Sequence, residues 1–212
     1  MAQGVLDGDG ITYSSERQGT LRPGSSTMNL QGKARAESKD FTLEAETIEI
    51  DWGRREIKAY GARQADGSYL GRPIFTQGDR RIGADTLRYN YGTQKGWVYQ
   101  SSSQEAGGFL FGKQVKMISD SSYYIGSTRF TTCNHAEPHF AIVAPQARFD
   151  VGKRIVTGPA YLELAHLPTP LALPFGFFPM TEKRASGFIL PNFADRREWG
   201  LGLTGFGHYW AL

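Results

Sequence analysis

The sequence is short of several things, and each shortage narrows what the protein can be. It holds a single cysteine, Cys133, in 212 residues. A lone cysteine excludes an internal disulfide framework. In an exported protein it points to a partner thiol elsewhere; in a cytosolic one it is an ordinary buried thiol. No apolar run reaches the roughly 20 residues that a membrane-spanning helix needs. The best stretch, Leu167 to Phe178, is too short and carries Pro168, Pro170 and Pro174. Neither sign of charge dominates. Twenty-four basic residues face 21 acidic ones, for a net charge of +3 that is spread along the chain. Nucleic-acid binding wants a basic stripe, so that class is set aside. Patterns of helical period are scarce. No secretory leader is visible, because Met1-Ala2-Gln3-Gly4 runs straight into polar sequence. That fits a cytosolic protein or a trimmed chain, and the ragged C-terminus favours trimming.

What is abundant is glycine, 26 residues, within a chain that is 40% hydrophobic and 13% aromatic. Together these predict many turns and strands around a real apolar interior. Thr42 to Trp52 reads as a strand turned by Gly53-Arg54-Arg55, and it returns as Glu56 to Gly61. Arg81 to Tyr91 repeats the pattern, turned by Gly92-Thr93-Gln94 and returning as Gly96 to Tyr99. The copies superpose at an offset of about 39 residues, in the range of stacked repeat units. Ile48 lies over Leu87, Ile50 over Tyr89 and Trp52 over Tyr91. Side chains alternate with period two, so Ile48, Ile50 and Trp52 share a face, as do Leu87, Tyr89 and Tyr91. Glu49, Asp51, Arg88 and Asn90 take the other face. Such hairpins bury a shared interior and leave open edges at both ends. The stripe is either filled core or a groove that admits acyl chains, and the pattern does not separate the two.

The end of the chain is different. Gly205-Phe206-Gly207-His208-Tyr209-Trp210-Ala211-Leu212 is a glycine-rich aromatic strand of the kind that outer-membrane barrels use. The expectation is a domain that continues into a membrane-embedded β-structure.

Three groups of segments then point to a family. They are Phe130-Thr131-Thr132-Cys133 with Pro138-His139-Phe140; Val156-Thr157-Gly158-Pro159-Ala160-Tyr161-Leu162; and Leu173-Pro174-Phe175-Gly176-Phe177-Phe178-Pro179 with Ser186-Gly187-Phe188-Ile189-Leu190-Pro191-Asn192. Over essentially the whole chain the sequence resembles the LptD/OstA family of lipopolysaccharide-assembly proteins. The resemblance implies an all-β fold, a partly open β-jelly-roll of the OstA type followed by the first strands of an outer-membrane β-barrel. The expected boundaries are 1–165 for a periplasmic jelly-roll, 166–185 for a proline-rich connector and 186–212 for barrel strands. The implied function is to conduct lipopolysaccharide along an apolar groove toward the barrel. Ile48, Ile50, Trp52, Leu87, Tyr89 and Tyr91 would line that groove. The implied partners are lipopolysaccharide, a periplasmic OstA-type bridge protein joined at an open strand edge, and an outer-membrane lipoprotein plug in the full-length protein. The implied location is the outer membrane, with this region mostly periplasmic. Cys133 matches a family cysteine that is disulfide-bonded in some members to one in the barrel region, outside this chain. Pro191 would loosen a first barrel strand beside the lateral gate, because proline gives no ladder hydrogen bond.

No cofactor is expected. Cys133, His135 and His139 make a Cys-x-His-x3-His cluster, but the spacing is not a standard zinc pattern and no fourth ligand is evident. No metal is expected there. Two other functions compete. A stand-alone bridge protein of the same fold would not need the aromatic tail. A β-solenoid enzyme acting on polysaccharide would need paired carboxylates about 5 to 9.5 Å apart, and Asp9, Asp51, Asp85 and Asp120 form no such pair in sequence. The chain is therefore not expected to be an enzyme.

Overall fold

The structure is a computed structural model that describes residues 2–6, 10–21, 24, 26–105, 107–135, 137–179, 187–189, 192–196, 200–204 and 207–209. Among these residues every regular element is a strand. In order they are β1 (Ala2–Leu6), β2 (Ile11–Ser15), β3 (Gln18–Leu21), β4 (Thr27–Glu37), β5 (Thr42–Asp51), β6 (Glu56–Tyr60), β7 (Ala62–Arg63) and β8 (Tyr69–Leu70). Next come β9 (Ile74–Gln77), β10 (Arg80–Gly83), β11 (Thr86–Asn90), β12 (Lys95–Glu105), β13 (Gly108–Met117), β14 (Ser122–Thr131) and β15 (Phe140–Asp150). The chain ends with β16 (Arg154–Thr157), β17 (Ala160–Leu164), β18 (Leu167–Leu173), β19 (Gly176–Pro179), β20 (Gly187–Ile189), β21 (Asn192–Arg196), β22 (Gly200–Thr204) and β23 (Gly207–Tyr209). The expected all-β class holds.

The long strands explain the architecture. β4, β5, β12, β13, β14 and β15 each contribute to two sheets and bend between them. In the first sheet β3, the start of β4, the end of β5, β6, β11, the start of β12, the end of β13, the start of β14, the end of β15, β16 and β19 pair in turn. In the second sheet the order is β1, β2, the end of β4, the start of β5, β9, β10, the end of β12, the start of β13, the end of β14, the start of β15, β17 and β18. All pairings are antiparallel.

The bend is marked by skipped pairs. Gln31 faces Thr47 and Ala34 faces Ala45, so Gly32 and Lys33 bulge opposite Glu46. Tyr99 faces Gln114 and Ser101 faces Gly112; Gly112 faces Thr128, which faces Ala144. Gln100, Lys113, Ser127 and Pro145 therefore stand along one line across the fold. Gly32 takes φ +81°, and Lys33, Gln100 and Ser127 hold positive φ without being glycine. A bulge tightens local twist and turns a strand, and proline tolerates a position where no ladder bond is made. The pairings β5–β6, β6–β11, β11–β12, β12–β10, β10–β9 and β9–β5 close a ring of six strands across this bend.

Period two puts apolar side chains between the sheets. One inward row of the first sheet runs Leu30, Ile48, Ala59, Leu87, Val98, Val115, Ile125, Ala147. The next runs Met28, Ile50, Ile57, Tyr89, Gly96, Met117, Tyr123, Phe149, Ile155, Phe178. The 39-residue repeat is visible here, since Ile48 and Leu87 share one row and Ile50 and Tyr89 the other. The outward face is polar, and there Arg88 grips Glu56 with Nε at 2.6 Å and Nη2 at 2.8 Å.

Residues 167–173 and 176–179, inside the stretch expected to be a connector, are strands. β18 pairs with β17 and β19 with β16, so they end the two sheets. Pro168 and Pro170 lie on β18, which has a neighbour on one side only among the described residues, the place where a sheet accepts proline. Beyond them, β20 pairs with β23 and β21 with β22 in one constant register, Gly187 with Tyr209, Ile189 with Gly207, Asn192 with Thr204 and Arg196 with Gly200.

Candidate functional site

The candidate site is the space between the two sheets. Its closed side is the bend line; its lips are the turns at the far ends of the strands. Ile48, Ile50 and Leu87 have no exposed surface and Tyr89 has 2%. Trp52 and Tyr91 continue the same face past the strand ends, where they are half-buried against the core. At this level the space is filled by side chains.

The second sheet supplies the opposing wall. Its inward row runs Tyr13, Ala36, Leu43, Phe75, Ile82, Ser103, Leu110, Phe130, Ile142, Leu162. Burial changes along that row. Ala36, Leu43, Phe75, Ile82 and Leu110 are buried; Tyr13 and Ser103 are half-buried, and so are Phe130, Ile142 and Leu162, three in succession at the β17 end. The first sheet stays buried over the same span, through Ala147, Phe149 and Ile155. The apolar space is thus sealed from β4 to β10 and loses its cover toward β17. Past β17 the exposed apolar side chains Leu167, Leu171, Leu173, Phe175 and Phe177 follow on β18, β19 and the turn between them.

Two contacts join the lips. Phe41, in the turn between β4 and β5, stands edge-on to Tyr89 of the opposite sheet at 5.2 Å between centroids, and Phe75 packs on both, 5.7 Å from Phe41 and 5.1 Å from Tyr89. Further along, Arg80 of β10 reaches across from the second sheet. Its guanidinium carbon lies 4.7 Å from the Tyr123 ring centre and 5.0 Å from that of Phe149. Nη1 donates to Tyr123 Oη at 2.9 Å, and Nη2 is 3.2 Å from Glu105 Oε1. Tyr123 Oη donates to the Asp120 carbonyl at 3.0 Å. A cation over aromatic faces is stabilised by the ring quadrupoles, more so when desolvated. Burial pushes the Tyr89 phenol up to about 12. Burial also raises Tyr123, against the opposing pull of Arg80.

Phe41, Phe75, Arg80, Glu105 and Phe149 are absent from the sequence reading. Phe75 and Arg80 sit on strands of four residues, too short to show a period. Arg80 follows the Gly78-Asp79 turn signal, but nothing local tells an inward arginine from a solvated one.

Cys133 is a half-buried free thiol in the turn between β14 and β15. Its N–H donates to Thr131 Oγ1 at 3.0 Å. Pro191 lies outside the described residues. No helix among the described residues is long and apolar enough to cross a membrane, which says nothing of strands.

Comparisons of the sequence with known proteins point to one family. The family model described as LptD protein matches residues 155–212. The LPS-assembly protein LptD of Shewanella denitrificans is 26% identical over 172 residues, 78% of this chain and 22% of that protein. That of Shewanella frigidimarina is 27% identical over 154 residues, 70% of this chain and 19% of that protein. That of Acinetobacter baylyi is 25% identical over 182 residues, 82% of this chain and 20% of that protein. The chain thus spans about a fifth of the length of these curated relatives. A solved structure, LptH, the LptA homologous periplasmic component of the lipopolysaccharide transport device from Pseudomonas aeruginosa, covers 50% of this chain and 73% of its own at 10% identity and a TM-score of 0.40, a likeness too slight to bear on the fold. The likeness implied by the motifs after Thr131 is thereby found, and the chain is similar to the LptD proteins.

Proposed function

We propose that this region carries lipopolysaccharide at the outer membrane, passing its acyl chains between the two sheets toward a barrel. The observation that carries the reading is the inward wall of the second sheet, apolar from Tyr13 to Leu162 except at Ser103 and partly uncovered over Phe130, Ile142 and Leu162. Each methylene kept from water is worth about 0.8 kcal/mol, so an amphiphile with several acyl chains needs an unbroken apolar path. The sheet edges give continuity between proteins. Among the described residues β1 and β3 stand at the edges of the two sheets on the N-terminal side, and an OstA-type bridge protein adding a strand there extends both walls by backbone hydrogen bonding. On this reading 1–165 is the periplasmic jelly-roll, 166–185 leads out of it and 186–212 begins the barrel. A lipoprotein plug then belongs to the barrel, and Pro191 loosens its first strand. No bond chemistry is required.

Full burial of Ile48, Ile50, Leu87 and Tyr89 favours a second reading for the sealed half, in which it is a rigid core that only aims the open half. Photo-crosslinking groups placed one at a time at Ile50, Tyr89, Ile142, Leu162 and Glu49 of the complete, export-competent protein separate the two. A conduit gives lipopolysaccharide adducts at the four inward positions and none at Glu49. Adducts at Ile142 and Leu162 alone support the rigid core. Adducts at Glu49 alone sink both.

A further inference from the structure

We propose that Cys133, His135 and His139 form a zinc site on the lip of the second sheet, a function separate from the lipid path. All three lie in the turn between β14 and β15, and their ligand atoms fall within 4.8 Å of one another. Cys133 Sγ is 3.7 Å from His139 Nδ1, and the two imidazole rings are 4.9 Å apart at 64°. Zinc bonds of about 2.3 Å to sulfur and 2.0–2.1 Å to nitrogen, at tetrahedral angles, require ligand atoms about 3.3–3.7 Å apart. The sulfur–nitrogen pair already has that separation. The remaining distances close by side-chain rotation, because His135 and His139 are exposed and free to turn.

The backbone fixes both ends of the ligand set. The Cys133 N–H is tied to Thr131 Oγ1 at 3.0 Å, and the Ala165 N–H donates to the His139 carbonyl at 2.7 Å. The turn is therefore pinned to the end of β14 on one side and to the β17–β18 turn on the other. A thiolate with two imidazoles selects a borderline-soft ion such as zinc over magnesium or calcium. Three protein ligands leave a fourth position for water or for a side chain from elsewhere. The site stands where the inward wall loses its cover, so the ion clips together the lip beside Ile142 and Leu162.

The thiol can ligate zinc or form the disulfide implied by the resemblance, but not both at once. The test is metal analysis of the complete protein, purified in detergent without chelator, together with titration by Co(II). Wild type is expected to hold about one zinc per chain and, with cobalt, to show a thiolate-to-cobalt charge-transfer band. Cys133→Ser should abolish that band, and His139→Ala should weaken zinc binding by at least about tenfold, the loss that even outer-shell changes cause. An unchanged far-ultraviolet circular dichroism spectrum shows that each variant still folds. The proposal is overturned if wild type neither retains zinc nor gives the band. It is equally overturned if Cys133→Ser retains as much zinc as wild type, or if peptide mapping finds Cys133 wholly in a disulfide. None of these results touches the crosslinking pattern that tests the lipid path.

Discussion

Arg80 and Tyr123 meet across the mouth of the fold, with the guanidinium donating to the phenol at 2.9 Å and lying over its ring. One comes from the second sheet and the other from the first, so the contact is a clamp between lips. Glu105 completes it. The Arg80 side chain is 18% exposed and that of Glu105 11%, too enclosed for water to replace a lost partner freely.

Arg80→Met and Glu105→Gln are each expected to lower stability by about 2 kcal/mol, since each strands one member of a nearly buried pair. The double variant should lose less than the sum, because neither charge is then orphaned. Urea unfolding of all four proteins measures the coupling. Strict additivity would mean that the pair is a screened surface contact. If the clamp must part for lipid to pass, the double variant also gives more crosslinking at Tyr89 than wild type does.

The paired hairpins were legible in the sequence because period two and a 39-residue offset are both carried by side-chain type. Ile48, Ile50, Leu87 and Tyr89 fall in the rows that the alternation implies. The bend was not legible. It is set by positive φ at Lys33, Gln100 and Ser127, residues that carry no turn signature, and by Pro145 within an otherwise regular strand. Without the bend, one cannot see that β12 to β15 serve both sheets, nor that Arg80 and Tyr123 become neighbours at a separation of 43 residues. The convergence of Cys133, His135 and His139 was hidden for a similar reason. Spacing alone gives three donors in a loop, and only the pinned backbone brings them together.

Asp150 makes stability fall in acid. Its carboxylate accepts from Arg148 Nε at 3.0 Å, from Ser122 Oγ at 3.0 Å and from Arg154 Nε at 3.2 Å. The Arg148 hydrogen bond is the leading cause holding it below its ordinary 3.8. A carboxyl depressed in the folded state contributes stability that is full above its unfolded value and is lost as pH drops through the folded one. Stability is therefore expected to decline below about pH 4. Asp150→Asn should be less stable at neutral pH and should show a shallower decline in acid. An unchanged acid limb would show that Asp150 plays no part in it.

At the alkaline end the sign reverses. Tyr89 stays protonated to about 12 because of burial, against an ordinary 10. A phenol raised in the folded state favours folding below its unfolded value, and that contribution is lost as pH rises from about 10 through about 12. Phenolate absorbance should therefore show Tyr89 ionising late, or only on unfolding, beside Tyr60 and Tyr123, which burial also raises, and Tyr89→Phe should remove one of these late steps. Tyr123, raised by burial but opposed by Arg80, should ionise later still in Arg80→Met. If Tyr89→Phe leaves every late step in place, the phenols that titrate there are others.

The last prediction separates stability from transport by position along the apolar path. Ile48→Ala empties a site with no exposure and should cost about 2–5 kcal/mol, the range for large-to-small changes in a packed core. Leu171→Asp changes a side chain that is 59% exposed on the edge strand β18. Substitutions at such positions usually fall within about 0.5 kcal/mol. Yet β18 carries exposed apolar surface just past the open end of the wall, where an amphiphile leaving the jelly-roll would next need cover. Leu171→Asp in the complete protein is therefore expected to keep wild-type thermal stability and to reduce the lipopolysaccharide reaching the cell surface. Ile48→Ala should lower stability first, and transport only as the folded fraction falls. If Leu171→Asp exports normally while crosslinks at Leu162 persist, the path leaves the jelly-roll by another edge, and the exposed leucines and phenylalanines of β18 and β19 serve only to pack against the barrel.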